Sequence, residues 1–341
     1  MPLLPKEYPS QTDLPEQIRV SIGTAMVLGL TEGKLDAKPT TAYLMTYRAE
    51  KCTANCGFCP QARESKSSSE LLSRVTWPAF PTLNVLATIA TAAKEGKINR
   101  VCVQSLNYPD VVDHLESVVK EIKNRSIVSV SVSCQPVNRD NIIRLANSGV
   151  NRLGIALDAA SEAIFDRVKG KDAGGKYVWQ NQFLLLNQAL DVFGEDNVST
   201  HVIVGLGETE KDAVKVVQRC VDMGVLPALF AFTPVRGTAL EKNSPPKVKT
   251  YRRLQLARYL IVKGKTRAGD MQFDADDKIT GYGLTNEALN WEIEGGLPFQ
   301  TSGCPDCNRP FYNEKPSGPI YNYPTKLSKK EVETVKKQLF S

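Results

Sequence analysis

Histidine is nearly missing from this chain: His114 and His201 are the only two in 341 residues. Zinc sites commonly complete their ligand set with a nearby histidine, so few such sites can be built here. No apolar run approaches the ~20 residues needed to cross a bilayer, which excludes a membrane-spanning helix. The opening stretch, Met1 to Thr12, lacks the charged-then-apolar layout of a secretion signal, and a cytoplasmic location is expected. No basic block is interleaved with aromatics, so nothing argues for a nucleic-acid partner. There is no internal repeat and no low-complexity tract. The net charge of +6 suits an acidic protein partner no better than it suits a merely basic surface.

What remains is an ordinary globular composition, 42% hydrophobic, with length for one large α/β barrel or two smaller domains. The eight cysteines are the informative excess. In a reducing cytosol they serve as ligands or core residues and not as disulfides. Three of them, Cys52, Cys56 and Cys59, fall in the run Cys52-Thr53-Ala54-Asn55-Cys56-Gly57-Phe58-Cys59. This C-x₃-C-x₂-C loop follows a strand-like segment, Thr40–Tyr47. Thiolate-rich sites select iron–sulfur clusters or zinc over hard cations. Both histidines are distant in sequence, and the spacing favours a redox cluster over a zinc knuckle.

From Thr40 onward the pattern alternates between short β-rich runs and helical stretches. Strands are expected at Thr40–Tyr47, Arg100–Ser105, Val128–Cys134, Arg152–Leu157, Ser199–Val204 and Pro227–Phe232, with Met271–Asp274 as a further candidate. Helices are expected at Thr82–Glu95, Val111–Lys123, Arg139–Asn147, Gln180–Phe193, Glu210–Met223 and Val248–Lys263. Repeated βα units imply a parallel sheet covered by helices. Their number fits a partial or complete TIM-type barrel, whose reactive groups sit at the C-terminal ends of the strands. Residues 1–39 form an N-terminal extension whose apolar stretch Val20–Leu30 packs on the barrel, and 40–274 form the barrel. Residues 275–341 form a C-terminal segment, Gly- and Pro-rich between Gly295 and Pro324, that closes with a helix at Ser328–Leu339 capped by Ser328.

Cys102 and Cys134 lie on or at the end of the second and third expected strands. Each alone reads as a small buried hydrophobe. Cys304 and Cys307 form a compact C-x₂-C ligand turn, which is also half a zinc site. If the C-terminal segment folds over the barrel mouth, these four thiolates can share a second [4Fe–4S] cluster. Cys220 sits on an amphipathic helix and is expected in the core. Gly205 and Gly207 permit a close backbone approach or an ordinary strand-to-helix turn. Asp158, at a strand end, can accept from ribose hydroxyls or cap the following helix. His201 on a strand reads as a core histidine.

The Cys52/Cys56/Cys59 loop, with Phe58 before its last cysteine and a strand ahead of it, resembles the cluster loop of the radical S-adenosylmethionine (SAM) superfamily. The resemblance implies a [4Fe–4S] cluster whose open iron binds SAM, and hydrogen abstraction by a 5′-deoxyadenosyl radical. Over roughly residues 40–240 the chain is also similar to biotin synthase, a sulfur-inserting member. Cys102 and Cys134 match ligand positions of its auxiliary cluster. The run Val202-Ile203-Val204-Gly205-Leu206-Gly207-Glu208 matches its SAM-site strand and turn, which implies cofactor contacts for Ile203, Gly205, Gly207 and Glu208. Asp158 matches a carboxylate near the SAM ribose, and Thr233–Thr238 matches the loop after the sixth strand.

The departures are specific. Ser199 stands where a third auxiliary cysteine is expected, and Met271–Asp274 offers no match to the arginine ligand. Gln104-Ser105-Leu106 lacks the Gly-Gly-Glu common in the superfamily, a lack that biotin synthase-like enzymes share. The segment 275–341 differs altogether. A biotin synthase-like core with an added cysteine pair resembles the two-protein (split) lipoyl synthases. That resemblance implies sulfur insertion at C8, favoured over C6, of a protein-bound octanoyl-lysine on a lipoyl-carrier domain or H-protein-like substrate. It also implies a second radical SAM protein and an electron donor such as ferredoxin or flavodoxin. Biotin synthase proper and a radical SAM enzyme that adds no sulfur are the other readings.

Overall fold

The computed structural model describes residues 14–135 and 138–340; the opening stretch read for a secretion signal lies outside them. One eight-stranded sheet organises the chain. Its strands are β1 (Gln17–Val20), β2 (Thr41–Thr46), β3 (Ala79–Pro81), β4 (Arg100–Gln104), β5 (Ser129–Ser133), β6 (Arg152–Gly154), β7 (Val198–Val204) and β8 (Leu226–Ala231). The spatial order is β8-β7-β6-β5-β4-β2-β1-β3. The six strands from β2 through β8, omitting β3, pair in parallel, each with its neighbour. They form the expected partial barrel. The N-terminal strand β1 lies antiparallel between β2 and β3 and widens the sheet on one side.

Side-chain alternation follows from the pleat. On β4, Val101 and Val103 are fully buried against the helical layer, while Cys102 and Gln104 line the barrel interior. On β5, Val130 and Val132 pack outward, and Ser131 and Ser133 face in. The covering helices are Thr82–Lys94, Val111–Arg125, Arg139–Asn147, Trp179–Phe193, Glu210–Asp222 and Val248–Val262. Thr209 and Asp212 close a capping box at the start of Glu210–Asp222, which fixes where that helix leaves the β7 turn. Cys220 on this helix is fully buried, as its amphipathic pattern requires.

One expectation is corrected. Met271–Asp274 is not a barrel strand: Gln272–Phe273 pairs antiparallel with Ile279–Gly281 in a separate two-stranded hairpin. Its turn is set by Asp274, whose Oδ1 accepts from the N–H groups of Asp276 and Lys278, both at 2.9 Å, and by Asp277 at φ +57°.

The Cys304–Cys307 turn, whose path the sequence left open, closes the opposite end of the barrel from the mouth. The Oγ1 atoms of Thr40 and Thr41, at the start of β2, donate to the Asp306 carbonyl at 2.6 and 3.0 Å. The Nε of Arg100, at the start of β4, donates to Pro305 O at 3.0 Å. These donors stand at the N-terminal ends of the strands and draw the turn under the sheet. From there the chain climbs along the free edge of β8 and past the inner face of β2. Ser302 Oγ accepts from Leu229 N at 2.8 Å, and the Tyr43 hydroxyl accepts from Arg309 N at 2.9 Å. Residues 302–313 thus fill the seam of the open barrel. The chain ends in the helix Lys329–Phe340, with Ser328 and Glu331 bonded reciprocally at its start.

Candidate active site

The Cys52–Cys59 loop leaves the C-terminal end of β2 and is pinned from both sides. Cys52 N donates to Gln61 O (3.0 Å), Thr53 N to Asn107 O (2.9 Å) and Gly57 N to Val168 O (2.7 Å). The sulfur of Cys52 accepts backbone N–H bonds from Ala54 (3.4 Å) and Asn107 (3.1 Å). That of Cys59 accepts from Gln61 and Ala62. Donors aimed at sulfur stabilise thiolate anions. Against them, burial pushes the Cys59 thiol up to about 12 and the Cys56 thiol higher still. Without a positive ligand the Cys56 and Cys59 sulfurs therefore stay protonated at neutral pH.

The loop opens onto a cavity of about 550 Å³ that runs through the barrel. Phe58, Asp158 and Ile203 line it. Asp158 is held at φ +64°, with its N–H on His201 O (2.8 Å) and its carbonyl accepting from Ile203 N (2.9 Å). It does not cap the next helix; Ser161 does. Its carboxylate instead pairs with Lys169 Nζ at 2.8 Å. Lys169 is only 2% exposed and also donates to Ala156 O at 2.6 Å. Its charge pulls the Cys56 thiol down against the effect of burial, which sets this ion pair beside the loop. Gly205, Gly207 and Glu208 do not line the cavity. They build the turn beyond β7, where the Glu208 carboxylate accepts from Gly205 N (2.6 Å) and Leu206 N (2.9 Å). Gly207 sits at φ +111°, and a Cβ there would come within 2.7 Å of Arg167.

A second group of thiols occupies the other end of the same cavity. Cys102, Cys304 and Cys307 are mutually close enough that each of the other two raises the Cys102 thiol, although burial is the larger cause. Each sulfur has a side-chain neighbour with a hydrogen to give. Gln104 Nε2 donates to Cys102 Sγ at 3.1 Å. The Tyr43 hydroxyl, already accepting from Arg309 N, lies 3.5 Å from Cys307 Sγ. The Ser131 hydroxyl, already accepting from Arg100 Nη1 at 2.9 Å, lies 3.8 Å from Cys304 Sγ. Cys134 stands apart from this trio. Cys102 is in register with Ser131, and Cys134, three residues further along, lies just past the end of β5. There it lines the cavity and is raised to about 12 by burial alone. The four expected thiols thus share one cavity, with three of them gathered. Ser199, where a further cysteine was sought, is buried and also lines the cavity. His201 is likewise on the cavity wall, 4.8 Å from the Phe230 ring, and burial lowers it to about 4, keeping it neutral.

The matches to known proteins agree with this geometry. A profile of the radical SAM superfamily matches residues 47–220, just over half of the chain. The chain belongs to the radical SAM superfamily. Among curated proteins it is similar to the biotin synthase of Hydrogenobaculum sp. (strain Y04AAS1), 25% identical over 210 residues, covering 59% of this chain and 58% of that one. It is also similar to the biotin synthase of Sulfurihydrogenibium sp. (strain YO3AOP1), 24% identical over 254 residues and covering 72% and 70%. The chain thus spans about three fifths of the length of the first of these relatives and rather more of the second. The [FeFe]-hydrogenase maturase HydG from Carboxydothermus hydrogenoformans superposes with a TM-score of 0.51 at 14% identity, over 93% of this chain and 70% of that one, a likeness of fold alone.

Radical SAM membership implies a [4Fe–4S] cluster and SAM. The donor set fits: three sulfurs on one pinned loop, two of them supplied with backbone N–H groups, opening on a cavity with a charged pair beside it. Among the described residues no three His, Cys, Asp or Glu side chains could hold a single metal ion, and no helix is long and apolar enough to cross a membrane. Lys169 had no sequence signal, since nothing in Asp166-Arg167-Val168-Lys169-Gly170 marks a buried lysine. Arg100 and Ser131 did have one, lying two residues before Cys102 and three before Cys134 in otherwise Val-rich strands.

Proposed function

We propose that this chain is a sulfur-inserting radical SAM enzyme, one half of a two-protein lipoyl synthase, acting at C8 in preference to C6 of an octanoyl-lysine on a small carrier domain. The observation that carries this reading is the second thiol group, Cys102, Cys304 and Cys307, at the far end of the cavity onto which Cys52, Cys56 and Cys59 open. Cys52, Cys56 and Cys59 hold the SAM cluster, and the other trio, with Cys134 near it, holds an auxiliary cluster. When bound, these groups supply a hydrogen-abstracting 5′-deoxyadenosyl radical at one end and sulfur at the other. The chain's own work is to position and to exclude water. Asp158 is suited to ribose hydroxyls, and Lys169 keeps that carboxylate fixed. The wall beside the cavity includes Leu72, Val75, Trp77 and Phe311, apolar surface that suits an aliphatic chain. The seam residues from Ser302 to Asn313 shut the interior from solvent. A carrier protein presents the substrate, a second radical SAM protein completes the pair of insertions, and a ferredoxin or flavodoxin supplies electrons.

The test is metal and sulfide analysis on anaerobically reconstituted protein, followed by mass spectrometry of an octanoyl-lysyl peptide. The reading expects about eight irons per chain, two [4Fe–4S] clusters, and a product heavier by sulfur. Zinc in place of the second cluster would overturn it. About six irons, a four-iron and a [2Fe–2S] centre, with turnover of dethiobiotin would favour biotin synthase, the reading supported by the curated relatives.

A further inference from the structure

The barrel floor around Cys102, Cys304 and Cys307 carries more positive charge than the protein itself neutralises. Arg100 is 7% exposed and gives its hydrogen bonds to Pro305 O and the Ser131 hydroxyl. Arg152 is 7% exposed, lies on β6 in register with Ser131, and lines the cavity. Its Nη1 reaches Asn197 at 3.4 Å, and its Nε is buried with no partner. Arg309 lines the cavity from the seam, stacked 3.7 Å over Phe230, with Nη2 on Ser302 O at 2.6 Å. It hydrogen-bonds to Cys307. Among the described residues none of these three arginines has a carboxylate within ion-pair distance, and their hydrogen bonds run to carbonyl, hydroxyl and amide oxygens. The buried carboxyl that feels Arg309 is Glu314, whose own bonds run to the Asn322 and Asn313 N–H groups.

Buried charge without a counter-charge is costly. Three guanidinium groups with neutral protein partners, Arg100 acting on the Cys102 thiol and Arg309 on the Cys307 thiol and Arg152 on the wall of the same cavity, therefore form a site completed by an anion. Its ligand must bring negative charge, and a cluster held by thiolates does so. We propose that Arg100, Arg152 and Arg309 are a charge-compensating floor for the auxiliary group. They hold it in an anionic state inside a dry barrel and set its reduction potential upward. Arg152 is the key member, because its Nε is fully buried without a hydrogen-bond partner. This inference rests on the auxiliary-cluster reading above. Arg152 acts here through charge, as a positioning and tuning residue.

The test uses protein with Cys52, Cys56 and Cys59 changed to alanine, so that only the floor site is loaded, and compares it with the same protein carrying Arg152→Met or Arg152→Lys. Two quantities are read: the melting temperature before iron is added, and the reduction potential after reconstitution. Arg152→Met should raise the melting temperature of the iron-free protein, because it removes an uncompensated buried charge. It should lower the potential of the loaded site by at least a tenfold shift in the oxidised-to-reduced ratio, 59 mV for a one-electron couple. Arg152→Lys should keep the parent potential. Loss of cluster in the Met variant with retention in the Lys variant also supports compensation by charge. An unchanged potential in a loaded Met variant, or loss of cluster in both folded variants, overturns the floor while leaving the auxiliary-cluster reading intact. Failure of the parent to load any cluster at these thiols overturns both.

Discussion

Asp158 and Lys169 form the most deeply buried ion pair of the site, so breaking it has a calculable cost. Lys169 has a side-chain exposure of 2% and Asp158 of 11%, with 2.8 Å between the charged atoms. Asp158→Asn is the cleanest break. Asparagine tolerates the left-handed backbone at φ +64° and keeps an oxygen for Lys169, so charge is lost without backbone strain. Removing one partner of a buried pair leaves the other charge without compensation and costs ~3–5 kcal/mol. At roughly 2 °C per kcal/mol for a chain of this length, the melting temperature of the metal-free variant should fall by about 6–10 °C. Adding Lys169→Met should recover most of that loss, since the carbonyl of Ala156 and the Phe165 and Tyr177 rings then surround a neutral side chain. Thermal denaturation followed by circular dichroism checks both, and calorimetric titration with SAM should show weaker binding for Asp158→Asn. A loss under about 2 °C, or a double variant as unstable as the sum of the singles, would refute the reasoning, because partners in one buried pair must be coupled.

Three further outcomes are expected. Cys304→Ala/Cys307→Ala should lower iron from about eight to about four per chain and abolish sulfurated product, while SAM cleavage to deoxyadenosine persists; normal product would sink the auxiliary-site assignment. Burial holds the Cys59 thiol up to about 12, so in that range the unfolded chain ionises first. The metal-free protein should lose stability as pH rises above the ordinary thiol value of ~8.5, while cluster loading, which must expel these protons, is favoured by the same rise. Paired denaturant melts and iron-uptake measurements across pH check this. Glu314 is raised to about 7 by burial, so its stabilising protonated state is complete below its unfolded value and is lost as pH climbs through 7. Glu314→Gln should therefore be more stable than the parent at pH 8, by roughly 2–4 kcal/mol, and indistinguishable from it near pH 4.

The parts of the molecule legible in the sequence are those governed by short-range pattern. The β2 expectation of Thr40–Tyr47 meets an observed Thr41–Thr46, and Arg100–Ser105 meets Arg100–Gln104. In a parallel sheet the apolar runs and their flanking helices announce themselves. The Cys52–Cys59 loop was readable because all its ligands lie within eight residues. The floor site was only half readable. Parity along β4 puts Arg100 on the same face as Cys102, so a charged residue aimed inward was visible in Arg100-Val101-Cys102. What no local rule supplies is the path of residues 302–313. That stretch has no regular secondary structure, and its course is set by side chains of distant segments: Thr40, Thr41 and Arg100 at the base, Arg74 and Thr233 near the mouth. A fold over the mouth was only a condition under which the four thiols could meet; the hydrogen bonds of the strand starts draw the turn underneath.

That placement changes what the C-terminal segment does. Covering the free edge of β8 and supplying Cys304 and Cys307 are acts of one continuous stretch, and its turn is tied to the barrel through the carbonyls of Pro305 and Asp306. Arg74 clasps the carbonyls of Phe311 and Glu314 at 2.7 and 2.8 Å, and Tyr312 packs edge-on to Phe230 at 5.8 Å, so the climb toward the mouth is anchored at the first site as well. Tyr312 feels both Cys59 and Cys102, so the segment lies near both thiol groups. A ligand that binds Cys304 and Cys307 therefore does more than fill a site. It adds bonds between the floor and the seam, and so tightens the wall that keeps water from the cavity in which radical chemistry has to run.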